Sequence, residues 1–385
     1  MTDKVVSDWN AAPAARSDTE QNKQTVFYVQ PLIAHYRVEV VESLNRLFKV
    51  KLFASSVGVE SSGFSRENPA CEEFVETRIG HMLSSRINIQ SKVVWRIVRE
   101  RPAAVLIFAN VRYLSLWLAL IVGRAMGIPV LIHGQGLYRH EEVGFARTIC
   151  YRIAVALANR YVCYTEASKR SLEEIGCPRD KLVVADNSLT VRQTVQPSEK
   201  TGSETGVLFI GRLRDDSNVD TLIEAIGRLN AEGYDIKLHL VGGGEHGERL
   251  KSLYGNRDYV VWYGAVFDDS KIASISLQCR IGCYPGAAGL SVVHMFGLSL
   301  PPLIHNRLPM HMGPEPGYVE NGRTGFYFAR DGGVEALVTS LRRIWTGPPE
   351  KMRATAAAAY SKYQQLNSPT LGRRLAEIVR AAMHG

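Results

Sequence analysis

At 385 residues the chain has room for two domains of ordinary size, each with its own core. A composition 45% hydrophobic and 22% charged is that of a soluble globular protein and excludes a disordered or fibrous one. The net charge of +8 is concentrated between Arg78 and Lys181, where 16 lysines and arginines stand against 7 aspartates and glutamates. That stretch suits an anionic membrane surface or an anionic acceptor as well as a plain solvated face, and no motif points to nucleic acid.

Residues 1–22 are polar and mixed in charge, with no apolar core, and read as a loose leader rather than a secretory signal. Strand-like runs then alternate with helix-like stretches. Thr25–Val29, Val50–Ala54, Ala103–Phe108, Pro129–His133, Tyr161–Tyr164 and Leu182–Ala185 are predicted strands. Between the first two, Val38, Val41, Leu44, Leu47 and Phe48 fall at helical spacing within 36–48. The apolar run Leu114–Val122 ends at Gly123-Arg124, too short to span a bilayer, and reads as a buried helix. This rhythm predicts an α/β domain over 23–187 with a mostly parallel sheet.

Residues 188–206 lose the periodicity and have the Pro, Ser and Gly content of a linker. The rhythm restarts in a second domain, 207–364. Its predicted strands are 206–210, 236–241, 259–262, 280–284 and 302–305, and its predicted helices are 219–231, 291–298 and 333–345. A final helix over 368–384, in a terminal segment 365–385, is placed to pack back on the first domain. Two doubly wound units in succession imply a ligand cleft beyond the carboxyl ends of their strands. The six cysteines form no Cys-x-x-Cys pair, so free thiols in a reducing compartment are expected and no metal site is predicted.

Three glycine-rich turns follow predicted strands of the second domain: Gly211-Arg212-Leu213, Gly242-Gly243-Gly244-Glu245, and Pro285 to Ser291. A strand, a tight turn and a helix start present backbone N–H groups and a positive dipole end, which suits a diphosphate. Tight packing of strand on helix also wants glycine. Neither a Gly-x-Gly-x-x-Gly fingerprint nor a Walker loop is present, which argues against a dehydrogenase or a P-loop nucleotidase.

From Val207 to Phe328 the chain resembles the retaining GT-B glycosyltransferases of family four, in a bacterial polysaccharide or lipopolysaccharide subgroup. The resemblance rests on Gly211-Arg212-Leu213, Val219 to Ala225, Leu240 to Glu245, Val261 to Val266, Pro285 to Phe296 and Asn321 to Phe326. A weaker match in the first half runs through Gln30-Pro31, His35-Tyr36-Arg37 and Ile132-His133-Gly134. The resemblance implies that Gly211, Arg212, Gly243, Glu245, Val266, Gly286, Gly289, Leu290, Ser291 and His294 line the donor site. Within it, Arg212 contacts the diphosphate and the helix start at Gly289-Leu290-Ser291 cradles it. It also implies that His133 faces the donor sugar across the cleft.

Three positions depart from the family pattern. The family lysine is Ser217 here, and the two glutamates flanking the helix start are Gly286 and His294. Arg214 or a first-domain arginine would have to replace the lysine, and Glu315, within Gly313-Pro314-Glu315, is a candidate replacement carboxylate. His133, Arg212 and Glu315 are thus the candidate catalytic residues. His35, Tyr36 and Arg37 offer a ring, a hydroxyl and a cation for an acceptor, and Trp95, Arg96, Arg99 and Arg101 read as an interfacial or a solvated basic helix.

No Asp-x-Asp occurs, so the diphosphate is expected to be stabilised without a metal or other cofactor, the nucleotide sugar being a co-substrate. The expected function is sugar transfer, with retention, to a glycan or polyprenyl-linked acceptor at the cytoplasmic face of the membrane. A sugar-nucleotide epimerase of the same fold and a non-catalytic partner subunit are the alternatives.

Overall fold

The computed structural model describes residues 23–57, 69–82, 87–138 and 144–384; the leader expected over 1–22 lies outside them. The first half is built from β1 (Thr25–Leu32), α1 (Val38–Leu47), β2 (Lys49–Ser55) and β3 (Glu73–Glu76), then β4 (Ile79–Met82) and β5 (Ile87–Gln90). It continues with α2 (Val93–Glu100), β6 (Ala104–Phe108), α3 (Leu114–Met126), β7 (Val130–Gly134), α4 (Phe145–Leu157), β8 (Arg160–Cys163), α5 (Glu166–Glu174) and β9 (Leu182–Val184). Its main sheet has the order β3-β2-β1-β6-β7-β8-β9 and is parallel throughout, while β4 and β5 pair antiparallel.

The second half holds β10 (Gly206–Ile210), α6 (Val219–Ala231), β11 (Lys237–Val241), α7 (Gly247–Tyr254), β12 (Val260–Gly264) and α8 (Asp269–Ser276). After these come β13 (Cys279–Tyr284), α9 (Ser291–Gly297), β14 (Pro302–His305), β15 (Phe326–Phe328), α10 (Gly333–Trp345), α11 (Pro349–Asn367) and α12 (Leu371–His384). The order β12-β11-β10-β13-β14-β15 is again all parallel. Parallel strands are covered on both faces, which is why β6, β7 and β10 read as unbroken apolar runs rather than alternating ones.

Strand order reverses at β1/β6 in the first sheet and at β10/β13 in the second. The loops leaving those strands are where a doubly wound sheet binds ligands. They carry His35-Tyr36-Arg37, Gly211-Arg212 and Pro285 to Ser291. Instead of continuing the helix, His35–Arg37 forms a separate 3₁₀ turn ahead of α1.

Two readings of the sequence need correction. The run 114–122 is buried on one side only, because Leu114 and Ile121 of α3 are 36% and 53% exposed. The 19-residue helix α11 has no predicted counterpart. It buries Ala356, Ala359, Tyr360, Tyr363 and Leu366, and small alanines give its inner face too little contrast to show as a periodic stripe. α12 crosses to the first half, where Leu371, Leu375, Ala376 and Val379 join Val26, Val41 and Leu44 in one core. Arg374 fastens that crossing, donating to the carbonyls of Ala185 (2.5 Å), Asp186 (2.7 Å) and Leu366 (2.8 Å).

Candidate functional site

The turn after β13 divides its amides between the protein and the cleft. Ala287 N–H donates to the Asp216 carbonyl (2.8 Å), and Ala288 N–H to His311 Nδ1 (3.1 Å). The N–H groups of Gly289, Leu290 and Ser291 have no acceptor among the described residues. These three sit at the start of α9, where the first amides of a helix lack intrahelical partners and the dipole end is positive. Arg212, half-buried, leaves the β10 end with its Nε buried and without a hydrogen-bond acceptor. A guanidinium buried in this way is costly unless something anionic meets it.

The glycines of the other two turns serve packing. A Cβ on Gly242 would lie 1.9 Å from the Gly211 carbonyl oxygen, and one on Gly244 2.4 Å from that of Leu213. The turns are further laced by Leu213 N–H donating to the Gly243 carbonyl at 2.9 Å. Glu245 is exposed with no partner among the described residues, and Val266 is half-buried against the second core.

The departures at Ser217 and Gly286 are one structural change. Ser217 is fully buried and its hydroxyl donates back to the Arg214 carbonyl (2.5 Å), closing a tight turn over Asp215–Ser217. That turn presses on Gly286, where a Cβ would stand 2.0 Å from the Asp216 oxygen. No side chain fits at 286, so its contribution is backbone alone. Arg214 faces protein groups, with Nε 3.3 Å from Asp216 Oδ1 but making no hydrogen bond and Nη2 donating to Met312 Sδ at 3.5 Å.

Glu315 is buried, 3% exposed, in a 3₁₀ turn against Gly289 and Gly313. Asn187 Nδ2 donates to its Oε1, and Arg37 Nη2 donates to Asn187 Oδ1 at 2.6 Å. An Arg37–Asn187–Glu315 chain therefore ties the loop after β1 to the second half. Burial raises the Glu315 pKa, opposed by the Asn187 bond and by Arg37. Tyr318 reinforces the joint, donating from its hydroxyl to the carbonyls of Tyr164 and Asn187, both at 3.3 Å.

His133 is the penultimate residue of β7, 3% exposed, its ring 4.7 Å from that of Tyr164. Burial and the nearby Arg37 charge push its pKa down to about 3, so the imidazole is neutral, and its buried Nε2 has no partner. His294 on α9 is held down to about 4, chiefly by burial, with its Nε2 also unpartnered. His35 reaches over from the first half, its ring 5.2 Å edge-on from that of Phe267. Tyr36 lies within electrostatic range of both Glu315 and Arg212.

The structure thus gathers Tyr36, Arg37, His133, Arg212, Gly289, His294 and Glu315 at the facing loops, while Glu245 is exposed in the turn after β11. Asn187, Tyr164 and His311 belong to the same arrangement without having been singled out in the sequence. His311 lies close before the Gly-Pro-Glu run, and its Nε2–H donates to the His305 carbonyl (3.0 Å), which makes Nδ1 the acceptor for Ala288. Nothing in the spacing of these residues marks them beforehand.

Two facing Rossmann-like units with an anion-ready turn in the second are what known proteins can be compared with. Residues 191–362 match the family model of glycosyl transferases group 1. The two-sheet architecture is the GT-B fold. HepE of Anabaena, crystallised with UDP-glucose, superposes with a TM-score of 0.66 at 16% identity over 93% of this chain and 100% of that one. A glycosyltransferase of Rickettsia africae gives 0.67 at 15% identity, over 94% and 99%. The lipopolysaccharide outer core galactosyltransferase WaaB gives 0.59 at 14%, over 89% and 98%. No curated protein matches the chain.

Proposed function

We propose that this protein transfers a sugar, with retention, from a nucleoside diphosphate to a hydroxyl of a growing lipid-linked glycan in surface polysaccharide or lipopolysaccharide assembly. The observation that carries the reading is that the loops leaving the adjacent strands β10 and β13 hold an unpartnered Arg212 Nε and the unspent amides of Gly289, Leu290 and Ser291. A diphosphate offers the acceptors both lack. Neighbours crystallised with UDP-glucose and named as a galactosyltransferase support a hexose donor.

In the reaction the bond from the anomeric carbon to the phosphate oxygen breaks, and the acceptor oxygen bonds to the same face. The acceptor proton passes to the departing phosphate. Arg212 and the three amides meet the charge that develops on the leaving group, a preorganised environment that needs no metal. Neutral His133 is placed to hydrogen-bond the donor sugar. The carboxyl of Glu315, rather than a group at 286, orients sugar hydroxyls from beside Gly289. Arg37 holds Glu315 through Asn187, and with His35 and Tyr36 it faces the acceptor. Contact between the halves excludes water and suppresses hydrolysis of the donor. A cytoplasmic site, where nucleotide sugars are made, fits this chemistry.

The test is a thermal-shift panel of UDP-, GDP- and dTDP-sugars, since a ligand that binds the native state raises its melting temperature by mass action. One nucleotide sugar is expected to stabilise the protein and, with a glycolipid acceptor, to be consumed in the presence of a chelator. Turnover should fall about a hundredfold or more in Arg212→Ala. Absence of any shift across the panel refutes the reading.

A further inference from the structure

Helices α2, α3 and α4 form one layer over the first sheet, with Ile97, Leu120 and Val155 facing inward. The outward side of such a layer is ordinarily polar. Here it is not. On α3 the outer stripe is Leu114, Leu118, Ile121 and Ala125, at the spacing of a single helical face. On α4, packed beside α3, it is Phe145, Ile149 and Ile153, exposed by 82%, 38% and 46%. Single exposed apolar residues are common, but two adjoining stripes at helical spacing mark a contact surface.

The stretch of chain that carries this surface is predominantly basic. From Lys92 to Arg160 the sequence has ten lysines and arginines and three glutamates. Arg99, Arg124 and Arg152 are exposed, and none pairs with a carboxylate among the described residues. Arg96, by contrast, is turned to Glu73 (2.6 Å) and Glu100, so the basic helix read from the sequence is only the edge of the patch.

We propose that the outer face of α3 and α4 docks on an anionic lipid bilayer, with Phe145, Ile149 and Ile121 entering the headgroup boundary and Arg124 and Arg152 meeting lipid phosphates. A bilayer supplies both the apolar layer and the negative charge the face calls for. A second copy of this chain would supply an apolar layer but no anionic groups from this face to meet its arginines. The placement also suits the cleft. Helices in a parallel α/β layer begin at the carboxyl edge of the sheet, so Phe145 and Leu114 lie at the cleft end of the face, and α4 follows the strand that carries His133. A lipid-borne acceptor would approach the facing loops along that edge.

The experiment is co-sedimentation of the full chain with phosphatidylcholine vesicles, with and without phosphatidylglycerol, at low and high salt. Binding is expected with phosphatidylglycerol at low salt only. Partitioning should fall about fivefold for each arginine neutralised in Arg124→Gln and Arg152→Gln. It should fall by a similar or greater factor in the double variant Phe145→Ser/Ile149→Ser, while Leu253→Ser on the exposed face of α7 leaves it unchanged. Equal partitioning of all variants, or no binding to anionic vesicles, overturns the proposal. So does concentration-dependent dimerisation of the free protein that Phe145→Ser/Ile149→Ser abolishes, or binding of a protein partner that vesicles do not displace. Because nucleotide-sugar binding is read separately by thermal shift, failure of the docking surface and failure of the transferase reading are distinguishable.

Discussion

Replacing Gly286 by alanine would push a Cβ against the Asp216 oxygen, a backbone atom that cannot swing away. The expected cost is about 1–3 kcal/mol, read as a lowered urea midpoint; an unchanged midpoint would mean that the turn over Asp215–Ser217 yields freely. By the same contact, Ser217→Lys with Gly286→Glu should fail to install the family pattern, because neither side chain has space. On the proposed reading, Glu315 takes the role that Gly286 cannot. Glu315→Gln keeps the shape and the Asn187 neighbour but removes the charge, so turnover should drop by at least about tenfold with little loss of stability; normal turnover would remove Glu315 from the chemistry. The buried histidines set a pH response. His294 and His311 are depressed to about 4, and His133 and His305 to about 3, in each case mainly by burial. Above their unfolded value of about 6.5 neither state is protonated and the fold loses nothing. As pH falls through about 6.5 toward 4, the unfolded chain takes up protons that the native state refuses, and stability declines. A melting temperature flat between about pH 6.5 and 4.5 would contradict this.

At the scale of elements, α12 is held to the first half by apolar contact and by Arg374. Leu375 is fully buried there, so Leu375→Ala should cost about 2–5 kcal/mol in chemical denaturation. A cost below about 0.5 kcal/mol would mean that the helix contributes little to the core. The strands around each sheet were legible because they are buried on both faces and therefore continuous in apolarity: 104–108, 130–134 and 206–210 are instances. α11 was not, because alanine fills its contact face. α3 was legible as a helix but not as a surface, since the same apolar residues suit a core and an exposed contact. The site was legible in part. Gly211-Arg212 and the turn before α9 lie at the β10/β13 switch point, where topology alone concentrates ligand loops. Asn187 and His311 were not, because they act through contacts between segments 128 and 23 residues apart, which no local spacing records.

At the scale of the molecule, polar groups bridge the two halves at the facing loops. Arg37, Asn187 and Glu315 form one bridge, and Tyr138, whose hydroxyl donates to the Leu308 carbonyl, forms another. Such contacts can open and close with substrate, in contrast to the apolar seam that fixes α12. On the proposed reading, the charge of the first half and the turn before α9 in the second divide the work between holding an acceptor near a surface and holding a leaving group. Both assignments converge on the cleft, and the second is the one on which the account rests. Calorimetric titration of UDP into the wild type and into Arg212→Ala examines it without requiring the acceptor. The account predicts one UDP site per chain in the wild type and a Kd weakened about tenfold to a hundredfold in the variant, the loss of one charge-assisted contact. Equal affinity in both proteins, or no binding of UDP or any other nucleoside diphosphate to the wild type, would contradict it.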